Sequence, residues 1–150
     1  MLARTSQEAH RQRVADLVRR WLDERQALIA EWGGLRAAVA AGSPPPLASF
    51  CQILMDYVSA GHFEVYDELL AEAERLHALP PSGSQDLLAH LRETTDAAVR
   101  FNDLCDRLPP DAWPQALAFE LPILGLELES RFQTEDRLLA LLHQGDLAVP

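Results

Sequence analysis

The run LASFCQILMDYVSAGHFEVYDELLAEAERLHAL, residues 47–79, lies between SPPP at 43–46 and the proline pair that opens at 80. Phe50, Leu54, Tyr57, Val58, Gly61, Val65, Leu69 and Leu76 recur in it at mostly three- and four-residue steps. That spacing places side chains on one face of an α-helix. Gly61 falls on the stripe, where a missing side chain lets a second helix come close. Glycine costs about 1 kcal/mol relative to alanine inside a helix, so a packing or functional reason is expected there.

Working outward, LPPSGS at 79–84 and LPPD at 108–111 are the other strong breaks. Together with SPPP they cut the chain into four pieces of similar length. The first is predicted to be helical from about Ser6 to Ala41, with Val14, Leu17, Val18, Trp21, Leu22, Leu28, Ile29, Trp32 and Leu35 inward. Gly33 and Gly34 predict fraying or a bend in its last turns. The third starts near Ser84, read as an N-cap with Asp86 in the first turn. Leu87, Leu88, Leu91, Thr95, Ala98, Phe101, Leu104 and Cys105 form its inner face. The fourth runs from about Pro114 to His143 through Leu117, Leu121, Leu124, Leu128, Phe132, Leu139 and Leu142. Pro122 should kink it or mark its true start. No stretch reads as a strand. Long helices joined by short connections favour antiparallel neighbours. The expected fold is all-α, an up-down antiparallel four-helix bundle with long helices and Pro-rich connections. It forms one domain over 1–150, with a core at about 8–143 and a short flexible tail at 145–150.

Composition agrees with one globular domain. The chain has 150 residues, 48% of them hydrophobic and 24% charged, enough to bury a sizeable core. Its net charge is −10, all 13 basic residues are arginine, and lysine is absent. The imbalance is uneven. Residues 1–42 carry +2 and residues 43–150 carry −12. Such a surface repels nucleic acid and anionic lipid and attracts basic partners, although acidity also simply keeps a protein soluble. Cys51 and Cys105 sit on apolar stripes and read as reduced core residues. The N-terminal MLARTSQEAHRQR has no apolar run of the signal-peptide kind, and no stretch approaches the ~20 apolar residues that span a bilayer. The expected location is the cytoplasm, with no membrane or direct nucleic-acid contact.

Catalytic and metal chemistry find little footing. Di-iron bundles use two Glu-x-x-His pairs with two further glutamates. Here Glu74 and His77 are one such pair, just before the break at Pro80, and no second exists. The remaining histidines, His10, His62, His90 and His143, do not converge on one layer. Cys51 and His62 are about 16 Å apart by helical rise, too far for a nucleophile and its base. There is no phosphate-binding glycine loop and no lysine. The sequence therefore predicts no enzyme, no cofactor and no metal. A ferritin- or hemerythrin-type metal bundle remains the main alternative.

Two polar features are left. On the second helix Gln52, Asp56, Ser59, Phe63, Asp67, Leu70 and Glu74 project opposite the core stripe. An aromatic and a leucine ringed by carboxylates read as an anchor with a charged rim. Two plainer readings stay open: an ordinary exposed apolar residue, or Phe63 packed at the edge of the core against the first helix. The second feature is SRFQTED at 130–136, where Glu135 falls on or beside the core seam and Arg131 precedes it by four. Arg25 interrupts the apolar stripe of the first helix in the same way. A semi-buried network of Arg25, His62, Arg131 and Glu135 would fix register or orient a groove; a solvated charged face is the competing reading.

FCQILMDYVSAGHFEVYDELL at 50–70 resembles the Rsd/AlgQ family of anti-sigma proteins. VRRWLDERQALI at 18–29, FNDLCD at 101–106 and LELESRFQTEDRLLALL at 126–142 are similar to the family's other helices, in order. The likeness covers roughly residues 14–143; the segment 80–95 and LPPDAWPQ match less well. The resemblance implies a helical bundle that binds the primary sigma factor of bacterial RNA polymerase, chiefly its C-terminal region four. That region is a basic helix-turn-helix that reads the −35 element and docks on core polymerase, so occupying it would favour alternative sigma factors. Asp56 matches a sigma-contact position of the family. Tyr57, Ser59, Phe63 and Asp67 join it by proximity, and Arg25, His62, Arg131 and Glu135 are expected to shape the site. A regulator acting chiefly on another cytoplasmic protein is a further alternative.

Overall fold

The structure, a computed structural model, describes residues 2–148 and the side chains of residues 5–143. Helix α1 spans Leu2–Ala41, α2 Leu47–Ala60, α3 Tyr66–Arg75, α4 Pro81–Arg107 and α5 Trp113–Ala148. A π-helical turn, Gly61–Val65, joins α2 to α3 into one rod, and a 3₁₀ turn, Pro110–Ala112, precedes α5. Four long rods result, as the proline breaks imply. Trp32 meets Phe50 and Trp21 meets Tyr66, each with ring centroids 6.0 Å apart, while His10 reaches Glu72 at 2.7 Å, so α1 and the α2–α3 rod run antiparallel. Trp32 against Gly125 and Arg25 against Asp136 set α5 antiparallel to α1, and α4 runs antiparallel to α5, with Arg107 and Glu120 bordering one groove and His90 meeting Ser130 further along. The bundle is up-down-up-down.

Several local expectations are corrected. α1 starts at Leu2 and passes unbroken through Gly33 and Gly34, both exposed. It stops where Gly42 takes a positive φ of 68°. Its buried stripe is narrower than expected: Trp21, Leu28 and Leu35 are buried, but Leu22 and Ile29 flank it exposed. The second rod ends at Arg75 rather than Leu79, and His77 adopts φ 58° beyond it. α4 begins at Pro81, not Ser84. Proline suits the first helical position because its missing N–H would be unpaired there anyway. Ser84 is consequently inside the helix, buried, with no hydrogen-bond partner for its hydroxyl.

Pro122 neither starts nor ends α5. The helix runs through it, with Pro122 and Ala118 exposed on one side, where the carbonyl that loses its donor can face solvent. α5 continues to Ala148 across part of the expected flexible tail; Val149 and Pro150 lie outside the described residues. Cys51 and Cys105 are free, half-buried and buried respectively. Among the described residues no helix is long and apolar enough to cross a membrane, and no group of three His, Cys, Asp or Glu is placed to hold a metal.

Candidate partner-binding face and the network beneath it

The π turn organises the site. The N–H of Tyr66 bonds to the carbonyl of Gly61, five residues back, so the rod accommodates one residue more than an α-helix would. Tyr57 and Tyr66 are nine residues apart, which on a straight helix at about 100° per residue sets them on opposite sides. One extra residue brings them within roughly 80° of each other. Both hydroxyls consequently reach the same carboxylate. Tyr57 donates to both oxygens of Glu135, and Tyr66 donates to Oε2 at 2.5 Å. The same slip turns Leu70 inward, where it is buried, correcting its expected place on the outer face.

Glu135 and Arg131 are both wholly buried, so the solvated-face reading of SRFQTED is wrong. Arg131 Nε lies 3.6 Å from Glu135 Oε2. Its Nη1 donates to Thr95 Oγ1 at 2.7 Å, Thr94 Oγ1 at 3.1 Å and the Leu91 carbonyl at 3.4 Å. Its guanidinium also sits over the Tyr57 and Tyr66 rings, 5.1 Å from each centroid. Arg25 closes the network from α1, 3.6 Å from Glu135 and 2.7 Å from Asp136, with its guanidinium over the Phe132 ring. Burial pushes the Glu135 carboxyl above the usual range, against the pull of Arg131, the two tyrosines and Arg25. Burial likewise raises both tyrosine hydroxyls. Each therefore stays a neutral donor. Gly61 is what lets the layers close: a Cβ there would stand 2.8 Å from Tyr66 and 2.9 Å from Arg131 Nη2.

The predicted site residues thus divide in two. Arg25, Tyr57, Arg131 and Glu135 come together, joined by Tyr66, Thr94, Thr95 and Asp136. Tyr57, Arg131 and Glu135 are buried and present nothing to solvent, so they lie beneath the outer face rather than on it. His62 does not join the network. Its ring packs edge-on against Phe63, centroids 4.7 Å apart. Phe63 itself is 77% exposed, which excludes its packing at the core edge. Asp56 and Asp67 are exposed on the same rod and Ser59 is half-buried. Gln52 donates to Asp56 at 3.0 Å. Glu24 on α1, which sequence reasoning missed, faces this surface. Partial burial raises its carboxyl first, then the like charges of Glu64 and Asp56, with Arg20 opposing. This rod therefore exposes one aromatic, Phe63, and the carboxylates Asp56, Glu64 and Asp67, while its inner side holds the buried polar cluster.

The model of the family described as "Regulator of RNA polymerase sigma(70) subunit, Rsd/AlgQ" matches residues 1–143. The chain belongs to the Rsd/AlgQ family. Similar curated relatives of this Rsd/AlgQ protein are each named "Regulator of sigma D". That of an Enterobacter species is 31% identical over 141 residues, covering 87% of this chain and 82% of the relative. That of Salmonella paratyphi B is 30% identical over 141 residues, covering 84% and 81%. That of Yersinia pseudotuberculosis is 27% identical over 135 residues, covering 83% and 78%. No solved structure gives a significant match. The family is one of RNA polymerase sigma(70) regulators, and the resemblance read from the sequence is correct.

Proposed function

We propose that this Rsd/AlgQ protein binds region four of the primary sigma factor through the outer face of α2 and the π turn. The observation that carries the reading is Phe63, 77% exposed on the rod that bears the family motif and that also exposes Asp56, Glu64 and Asp67. A large aromatic left in water invites desolvation by a partner, and carboxylates exposed on the same rod select a basic one. A helix-turn-helix whose other ligand is DNA phosphate supplies that basic surface. Occupying it blocks −35 recognition and docking on core polymerase, and frees core enzyme for alternative sigma factors. This regulation would take place in the cytoplasm. Calorimetric titration of the full chain with an isolated region-four domain tests the reading. A complex that weakens as salt is raised supports it, because charge pairs at the rim are screened. Absence of heat and of co-elution at low ionic strength would exclude it.

A further inference from the structure

α2 and α4 meet along a seam that holds both cysteines of the chain. The two helices run antiparallel, and Phe50 on α2 packs edge-on against Phe101 on α4, with ring centroids 5.9 Å apart. Cys51 follows Phe50 directly. Cys105 lies one turn beyond Phe101, towards the end of α4 that faces the start of α2. The two sulfurs consequently meet: the Cys51 thiol donates a hydrogen bond to the Cys105 sulfur, and neither is in a disulfide. Cys105 is 8% exposed, whereas Cys51 is only half-buried, so a small solute reaches the pair from its side.

Packing alone asks only for small apolar side chains at these positions, which cysteine supplies. Two thiols in mutual contact, one of them open to solvent, supply more: they are what a disulfide needs. Closing the bond brings the sulfurs from hydrogen-bond range to about 2.05 Å, a movement of roughly 2 Å. Both cysteines stand near helix ends, where the backbone yields most readily. Cys51 is in the second turn after Leu47, and Cys105 is two residues before α4 ends at Arg107. The hydrogen bond also prepares the chemistry. It holds the Cys105 thiol below the usual range, against burial and the charges of Asp106 and Glu120, and it raises Cys51, as burial does. Cys105 is thus the first of the two to form the nucleophilic thiolate. We propose that Cys51 and Cys105 are a redox-active dithiol, which hydrogen peroxide converts to a reversible disulfide tying α2 to α4. The Cys105 thiolate attacks one peroxide oxygen, the O–O bond breaks, and Cys105 becomes a sulfenic acid. The departing hydroxide takes up the proton that Cys105 released and is water. The Cys51 sulfur then attacks the Cys105 sulfur, the S–O bond breaks, and the oxygen leaves as water with the Cys51 proton. In all, the two thiols give up two electrons and two protons, and one peroxide is reduced to two waters. The bond pins the start of the rod whose later turns carry Asp56 and Phe63.

Treatment of the folded, reduced full chain with hydrogen peroxide, followed by thiol titration in denaturant and peptide mass mapping, tests the proposal. Both thiols should be lost together, and a cross-linked peptide joining Cys51 to Cys105 should appear within one chain. Dithiothreitol should restore both thiols. Cys51→Ser removes the resolving sulfur, so Cys105 should then be held as a sulfenic acid that dimedone captures, where the wild type yields the disulfide instead. None of these readouts involves region four, so they stand or fall apart from sigma binding. Thiols that both persist under peroxide overturn the proposal. So does a disulfide formed only between chains, or Cys105 oxidised to the sulfinic acid while Cys51 stays free.

Discussion

Gly61→Ala is the substitution whose sign the packing decides. In an open helix interior alanine is favoured over glycine by about 1 kcal/mol. Gly33 provides that reference in the same molecule, since an added Cβ there meets nothing within 4 Å. Gly33→Ala should therefore gain about 0.5–1 kcal/mol. At Gly61 the added methyl comes within 2.8 Å of the Tyr66 ring carbon and hydroxyl and 2.9 Å of Arg131 Nη2, both side chains fully buried. Neither neighbour is a free-swinging tip. Overpacking of this kind costs about 1–3 kcal/mol, and displacing Tyr66 weakens its bond to Glu135 by about another 1 kcal/mol. The favourable propensity offsets only part of that, leaving a net loss of roughly 1–3 kcal/mol. With an unfolding entropy of about 2.1 cal/mol/K per residue, Tm should fall by roughly 3–9 °C, whereas Gly33→Ala should raise it by roughly 2–3 °C. Calorimetric melts of the two variants side by side measure both. A Gly61→Ala protein at or above the wild-type Tm would refute the close packing of Gly61 on the tyrosine–arginine layer.

Glu135 makes a pH-dependent contribution whose sign follows from its raised carboxyl. Between the ordinary value of 4.5 and its own, the folded protein holds a proton that the unfolded chain has lost. Stability from this group is therefore complete below 4.5 and lost as pH rises through the folded value. Urea midpoints of wild type and Glu135→Gln, compared from about pH 4.5 to neutral, should show the wild type losing ground to the variant as pH increases. Glu72 works in the opposite sense, its carboxyl lowered chiefly by the Arg75 hydrogen bond, and cancels in that difference. Asp56→Ala should leave Tm within roughly 2 °C, since it gives up only an exposed i,i+4 contact with Gln52, while weakening region-four binding and flattening its salt dependence. Phe63→Ala should cost 2 kcal/mol or more in binding, about 30-fold in Kd, with the melting curve unchanged.

The bundle was legible because proline clusters at 43–46, 80–81 and 109–110 punctuate strong three- and four-residue periodicity. That periodicity assumes a uniform rotation per residue, and the π turn breaks the assumption once. Residues before Gly61 were placed correctly, Asp56 among them. After it Leu70 was set outside when it is inside, and Tyr66 was passed over because a straight helix turns it away from Tyr57. The only local signal was Gly61 itself, a helix-weakening residue kept on a core stripe. The spacing of Glu135 from Phe132 and Leu139 put it on or beside the core seam, but not its depth or its partners: Thr94 and Thr95 on α4 and Tyr57 and Tyr66 on the second rod come from distant sequence. His62 failed to join them because the π turn carries it out beside Phe63. Ser84 was misread because hydroxyl residues favour N-caps in general, whereas here Pro81 already opens the helix.

The proposed gripping surface is the outer face of α2 and the π turn. Amide chemical-shift mapping of the full chain, titrated with an isolated region-four domain, tests it most directly. Perturbations should centre on Gln52–Asp67 and on Glu24 across from them, with Phe119–Leu126 silent. Perturbations centred on Phe119–Leu126, with Asp56 and Phe63 unmoved, would contradict it.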